Sequence, residues 1–253
     1  MPPISAVIIT YNEEKNIKRC IDSLNGVADE ILVVDSYSTD QTPEICQSIG
    51  VRFLQHPFQG YTEQKNWATS QASFPHVLSL DADEALSEEL KKSILAVKEN
   101  WTHQAYSFNR LTNYCGTWIR HCGWYPDKKI RLFDKRYGRW EGHAIHERYV
   151  PQNPNDVCHL KGDLLHYSYY SLHDHILQLD KFTTLGAKAA YEKGKRSSIW
   201  LIIFSPLWKF VRDYFFKRGF LDGYHGFVVC VVSAFATFAK YVKLRALEKN
   251  EIS

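Results

Sequence analysis

The sequence predicts an α/β protein built on a mostly parallel sheet covered by helices on both faces. Three observations predict it. Short apolar, β-branched runs alternate with helix-patterned segments through the first hundred residues. Each run is nearly continuously apolar, as a strand covered on both sides requires. The connections are short, so the crossovers should be right-handed and the strands parallel. Residues 4–10 form the first run and end at Thr10-Tyr11-Asn12-Glu13-Glu14. Asn12 suits a helix cap there, with the glutamates in the first turn and Ile17, Ile21 and Leu24 on one face. Residues 30–35 are a second buried strand, 42–48 a helix with Pro43 in its first turn, and 51–55 a third strand. A helix over 62–71 and a fourth strand over 77–80 follow. Residues 101–170 are rich in Trp, Tyr, His and Arg and read as mixed or antiparallel strands with active-site loops. Residues 172–195 read as a helix, and 199–246 as two amphipathic or apolar helices joined near 219–226.

A chain of 253 residues with 45% hydrophobic and 23% charged residues is large enough for one big domain or a domain with an appendage. The expected division is a catalytic domain over residues 1–195 and a helical, membrane-facing segment over 196–253. The net charge of +3 conceals an asymmetry. Residues 181–253 hold 13 Lys and Arg against 5 Asp and Glu, so the remaining body is acidic. A basic tail on an acidic body suggests an anionic surface as partner and argues against nucleic acid. The six cysteines form no CxxC pair and read as reduced packing thiols. Cys115, Cys122 and His121 offer a zinc reading, but their spacing does not repeat. The first apolar run is only strand length and lacks a basic start, so no signal peptide is expected. The longest apolar run, 226–239, falls short of the ~20 residues a helix needs to span a bilayer. The expected location is therefore cytoplasmic, peripheral on a membrane rather than across it. Trp200, Trp208, Phe210, Tyr214, Phe215 and Phe216 mixed with Lys209, Arg212, Lys217 and Arg218 suit the headgroup region. A helical pair packed on the catalytic domain or on another subunit is the alternative; the oligomeric state stays open.

In an open α/β sheet, ligands bind beyond the carboxyl ends of the strands. Three such ends carry polar groups that suit one nucleoside: Tyr11 as a flat partner for a base, Asp35 as acceptor for its imide, and Asp81 as acceptor for ribose hydroxyls. Asp81-Ala82-Asp83 follows the apolar 77–80 run, and in an extended segment residues i and i+2 point the same way. Both carboxylates then face one hard cation, Mg²⁺ or Mn²⁺, whose shell diphosphate oxygens complete. The plainer alternative is that these acids merely begin a helix over 87–97.

The motifs Val7-Ile8-Ile9-Thr10-Tyr11-Asn12-Glu13, Val33-Val34-Asp35-Ser36-Tyr37-Ser38-Thr39-Asp40 and Leu80-Asp81-Ala82-Asp83-Glu84 resemble, in order and spacing, those of the family 2 glycosyltransferases with the GT-A fold. The stretch from Trp118 to Asp127 and the later Gly219-Phe220-Leu221-Asp222-Gly223 are similar to bacterial lipopolysaccharide-core β-glucosyltransferases. The resemblance covers nearly the whole chain. It implies a metal-dependent, inverting hexosyltransferase using a UDP-sugar, with Tyr11 on uracil, Asp35 on its imide, Asp81 near ribose and metal, and Asp83 on metal. Thr10, Asn12, Glu13 and Ala82 line the same donor site, and Gln64 and Asn66 match a family segment near the nucleotide.

Inversion needs a base for the acceptor hydroxyl on the face opposite the diphosphate. Glu147 matches the family's acidic loop residue and is the expected base, with Glu141 and Asp127 behind it. This chain has His146-Glu147 where many relatives have Glu-Asp. His146 or His143 offers an additional metal ligand. Trp118, Arg120, Trp124, Tyr125, Asp127, Lys128, Lys129 and Arg131 suggest an acceptor site, since sugars stack on aromatic rings and cations pair with phosphates. The expected reaction moves glucose from UDP-glucose to the lipopolysaccharide inner core. Another UDP-sugar, in capsule or lipid-carrier glycan synthesis, is the nearest alternative. A catalytically inactive nucleotide-binding protein or a membrane scaffold is the alternative from another class.

Overall fold

The computed structural model describes residues 1–142 and 147–249. The chain divides into two compact units, one of residues 1–111 and 127–167, the other of residues 112–126 and 168 onward. This division lies inside the region assigned above to a single catalytic domain: the helix after residue 171 and the segment 112–126 both belong to the second unit.

In the first unit, β1 (Ile4–Thr10), β2 (Glu30–Asp35), β3 (Arg52–Gln55) and β4 (His76–Asp81) are parallel neighbours in the order β3-β2-β1-β4. The sheet continues through β8 (Asp127–Asp134), β6 (Ala105–Tyr114), β11 (Val157–Tyr169) and β5 (Glu84–Leu86). The pairings of β4 with β8, β8 with β6 and β11 with β5 are antiparallel. Helices α1 (Ile17–Ser23), α2 (Thr42–Ile49), α3 (Tyr61–Gln71) and α4 (Glu88–Glu99) cover it, and β9 (Gly138–Glu141) and β10 (Arg148–Pro151) form a separate hairpin.

Side-chain alternation along β1 shows why the strands had to be apolar throughout. Ile4, Ala6 and Ile8 enter one core with Ile17, Ile21 and Leu24 of the α1 region and Leu90 and Ile94 of α4. Val7 and Ile9 enter the other with Ala68 of α3, Phe133, Trp140 and Tyr149. Each fully buried aliphatic side chain of this kind contributes roughly 1.5–3 kcal/mol relative to exposure.

Two local expectations are corrected. Helix α1 starts at Ile17, not after Asn12. Asn12 has φ 55°, and its side-chain oxygen accepts a hydrogen bond from the Thr39 N–H at 2.8 Å, so it fastens two loops instead of capping a helix. Ala82 and Asp83 form a turn between β4 and β5, not an extended continuation of β4.

The second unit holds β7 (Thr117–Ile119), paired with Thr112–Tyr114, and helices α5 (Leu172–Glu192), α6 (Ile199–Val211) and α7 (Gly223–Glu248). Ser171 and Ser198 cap α5 and α6 through their hydroxyls. Tyr114, Trp124, Tyr169 and His175 pack ring against ring in its interior. Asp222 accepts the backbone N–H of Arg120 at 3.3 Å and of His121 at 2.8 Å, and bonds the His121 ring at 2.7 Å. The apolar run judged too short to span a bilayer belongs to a longer helical stretch, Gly219–Glu248. Its mean hydropathy over an 18-residue window is 1.7, and by length and composition it is sufficient to cross a membrane. The polar groups beyond residue 239 had concealed that length, because the helix continues through them.

Candidate active site

Strand register sets the site. Thr10 of β1 lies beside Asp35 of β2, and Ile9 beside Asp81 of β4, so three strand ends meet on one edge of the sheet. Tyr11 projects from it with 57% exposure, while the Thr10 hydroxyl is buried without a hydrogen-bond partner. Asp35 is fully buried. Its carboxylate accepts from the Ser38 N–H at 2.9 Å, the Ser38 hydroxyl and the Gln55 amide at 3.1 Å.

Asp81 meets two cations. Arg131 Nη2 lies 2.6 Å from its Oδ2, and the Lys65 ammonium 2.9 Å from its Oδ1. Burial pushes the Asp81 pKa up, but the two cations outweigh it and hold the carboxyl well below the usual range. Glu84, fully buried, accepts the Asp81 N–H at 2.9 Å and Arg131 Nη2 at 3.0 Å. The same Lys65 ammonium reaches Glu147 Oε1 at 3.0 Å. Lys65 and Arg131 both lie over the Trp140 ring, 4.8 and 5.5 Å from its centroid.

Asp83 meets an imidazole. Its Oδ2 lies 3.1 Å from His166 Nε2 of β11, and the imidazole holds its pKa below the ordinary value against the opposing effect of burial. Glu13 is pushed up to about 7, first by burial and then by the negative charge of Asp83. The turn at Ala82 lies between the two carboxylates, and each has its own protein partners, Arg131 and Lys65 for Asp81 and His166 for Asp83. Among the described residues no group of three or more His, Cys, Asp or Glu side chains is arranged to hold a metal. A carboxylate and an imidazole in contact, with diphosphate oxygens supplying further ligands, nonetheless form a donor set that Mg²⁺ or Mn²⁺ accepts. Asp83 and His166 could hold such an ion, whereas Asp81 is engaged by cations of the protein itself. His146 and His143, the histidines suggested by sequence, lie outside the described residues.

Several expected contacts are internal braces. Gln64 donates to the Ser36 hydroxyl at 3.2 Å and bonds the His56 ring at 2.9 Å. Asn66 pairs with both the C=O and the N–H of Trp140, at 2.9 and 3.0 Å. The expected acceptor cluster divides between the units. Trp118, Arg120, Trp124 and Tyr125 belong to the second, where Trp124 is half-buried and packs against the cluster of Tyr114, Ile119 and Cys122. Asp127, Lys128 and Arg131 belong to the first. There Asp127 pairs with Arg110 at 2.9 Å, Lys128 is exposed, and Arg131 is buried behind Asp81, not in a solvated basic loop. Sequence reasoning missed Lys65, Glu84, Arg110 and His166. Lys65 carried one signal, its place between Gln64 and Asn66; His166 carried none.

A family model described as Glycosyl transferase family 2 matches residues 5–153. The chain belongs to that family and is a glycosyltransferase. It is similar to LpsC of Rhizobium meliloti, a lipopolysaccharide core biosynthesis glycosyltransferase, with 34% identity covering 97% of this chain and 94% of the relative. An uncharacterized glycosyltransferase of Rickettsia typhi is 33% identical, covering 98% of this chain and 88% of that protein. Among solved structures, TarS 1–349 of S. aureus aligns with a TM-score of 0.47 at 16% identity, covering 98% of this chain and 91% of that one.

Proposed function

We propose that this glycosyltransferase moves glucose from UDP-glucose onto a hydroxyl of the lipopolysaccharide inner core, with inversion and with the help of Mg²⁺ or Mn²⁺. The observation that carries the reading is the meeting of Asp81, Lys65 and Glu147 beside Asp83 and His166 at the strand ends. The relative LpsC, aligned over almost the whole of both chains, supports the acceptor class. Tyr11 stacks on uracil, and Asp35 takes the imide proton. The unpartnered Thr10 hydroxyl stands ready for a ligand group at the same edge.

Asp83 and His166 would hold a divalent ion, which when bound would supply charge neutralisation for the leaving diphosphate. Glu147 accepts the acceptor hydroxyl's proton as that oxygen attacks the anomeric carbon, and an α-linked donor gives a β-linked product. Lys65 keeps Glu147 oriented before the acceptor arrives. Arg131, anchored by buried Glu84, holds Asp81 toward the donor. The second unit exposes Trp200, Phe204, Trp208 and Phe216 along α6 and its end, which suits seating at the cytoplasmic face of the inner membrane, where a lipid-linked acceptor resides.

A screen of UDP-sugars with Mn²⁺, Mg²⁺ or EDTA tests the reading. UDP-glucose should turn over fastest and EDTA should abolish activity; full turnover without a divalent ion would falsify it. Glu147→Gln should bind UDP normally and lose transfer.

A further inference from the structure

The second unit contains an open cavity of about 340 Å³ walled mainly by α5 and α7, with Tyr169 of β11 and Lys209 of α6 at its edge. Leu179, Phe182, Ala236 and Tyr241 line it, and Lys209 and Lys240 are the cations at its wall. No carboxylate lines it among the described residues. Ser233, Ala236 and Thr237 of α7 are small, which is what leaves the space. Its volume is more than twice the ~150 Å³ that holds a benzene ring, so an aliphatic chain has room.

Lys209 belongs to a second group as well. Its ammonium lies 2.5 Å from Asp213 Oδ2, Arg212 Nε lies 2.9 Å from Oδ1, and Lys217 Nζ lies 3.6 Å from that oxygen. Asp213 is 1% exposed, whereas the side chains of its three partners are 30–42% exposed. One buried carboxylate thus organises three accessible cations, and two positive charges remain uncompensated. Trp208, Phe215, Phe216 and Phe220 expose their rings in the same segment. Aromatic rings beside cations are the pattern of the lipid headgroup level. A small anion has no use for the apolar slot, and an uncharged hydrocarbon has none for the cations. A phosphorylated amphiphile uses both.

We propose that this cavity is a phospholipid site, taking one acyl chain between α5 and α7 and the lipid phosphate on Lys209, Arg212 and Lys217. The inference rests on the reading of the second unit as membrane-facing and adds a defined, saturable lipid to it. The full chain, in mild detergent, is titrated with dioctanoyl phosphatidic acid and followed by native mass spectrometry. One lipid per chain should bind. Ala236→Trp, which fills the cavity, should weaken binding at least about tenfold. The surface pair Arg212→Gln with Lys217→Gln should weaken phosphatidic acid about fivefold while leaving dioctanoylglycerol unchanged. No saturable binding by the wild type, or binding indifferent to both changes, overturns the site. Sedimentation with vesicles of phosphatidylglycerol and phosphatidylcholine tests the membrane reading separately. A protein that sediments but binds no short-chain lipid loses only the cavity proposal, and one that fails to sediment loses the membrane reading. Competition between dioctanoyl phosphatidic acid and the glycan acceptor during turnover would assign the cavity to the acceptor's own lipid anchor and overturn the phospholipid assignment.

Discussion

The Lys65 ammonium lies 3.0 Å from Glu147 Oε1 while it also contacts Asp81, and its side chain is 1% exposed. A cation so placed is shared by two carboxylates, Asp81 and Glu147. Replacing it with Met leaves both without their shared partner. Breaking a buried ion pair from one side typically costs 3–5 kcal/mol. Lys65→Met should therefore lower the melting temperature by several degrees and cut kcat about a hundredfold or more. Lys65→Arg should recover part of both. Steady-state kinetics beside thermal melts check this, and unchanged kcat in a folded Met variant would remove Lys65 from the mechanism.

His166→Asn removes the imidazole that faces Asp83. The Mn²⁺ concentration for half-maximal activity should rise at least about tenfold, with UDP-glucose KM rising in parallel because the ion and the diphosphate bind together. The direct readout is Mn²⁺ binding by electron paramagnetic resonance in the presence of UDP. A metal titration identical to wild type would exclude His166 as a ligand.

Glu13 gives a pH dependence whose sign can be worked out. Its folded-state pKa stands near 7, above the ordinary value of 4.5, so between these values the folded state binds more protons than the unfolded one. Stability from this group is complete below pH 4.5 and is lost as the pH rises toward and through 7. In EDTA, the unfolding free energy of the wild type, followed by denaturant titration, should decline between pH 5 and 8 relative to Glu13→Gln, by an amount on the order of 2 kcal/mol. Parallel profiles for the two proteins would show that Glu13 ionises without cost.

Asp222 ties down Arg120 and His121 through three hydrogen bonds and is 5% exposed at its side chain. Asp222→Ala leaves two backbone N–H groups without this partner, at about 1–3 kcal/mol for each one that stays dry. The variant should melt earlier and exchange the amide protons of residues 120–122 faster. Wild-type exchange there would show that water replaces the carboxylate freely.

The parts of this protein that were legible in sequence are those where chemistry and local geometry coincide. The 4–10 and 30–35 runs are apolar at most positions because both faces of β1 and β2 are covered, and the structure reproduces these bounds. Asp35 and Asp81 were legible because a carboxylate directly after such a run has nowhere to go but the sheet's edge. His166 was not legible: it meets Asp83 through the antiparallel register of β11 with β5, where His166 lies opposite Glu84, and nothing local encodes that register. The surroundings of Trp124 were illegible for a related reason. A tryptophan among cations looks the same in sequence whether it faces a sugar or packs on Tyr114, Tyr169 and His175, and these partners come from distant positions. Asp81 and Asp83 were read on one extended backbone; the structure has a turn at Ala82, with Asp81 against Arg131 and Asp83 against His166.

Asn66 grips Trp140 by both backbone groups, as a neighbouring peptide unit would. Lys65 sits next to one end of that grip, and the strand containing Trp140 leads toward Glu147. Glutamine at position 66, one methylene longer, would not make both bonds at the same reach and would loosen the join between α3 and β9.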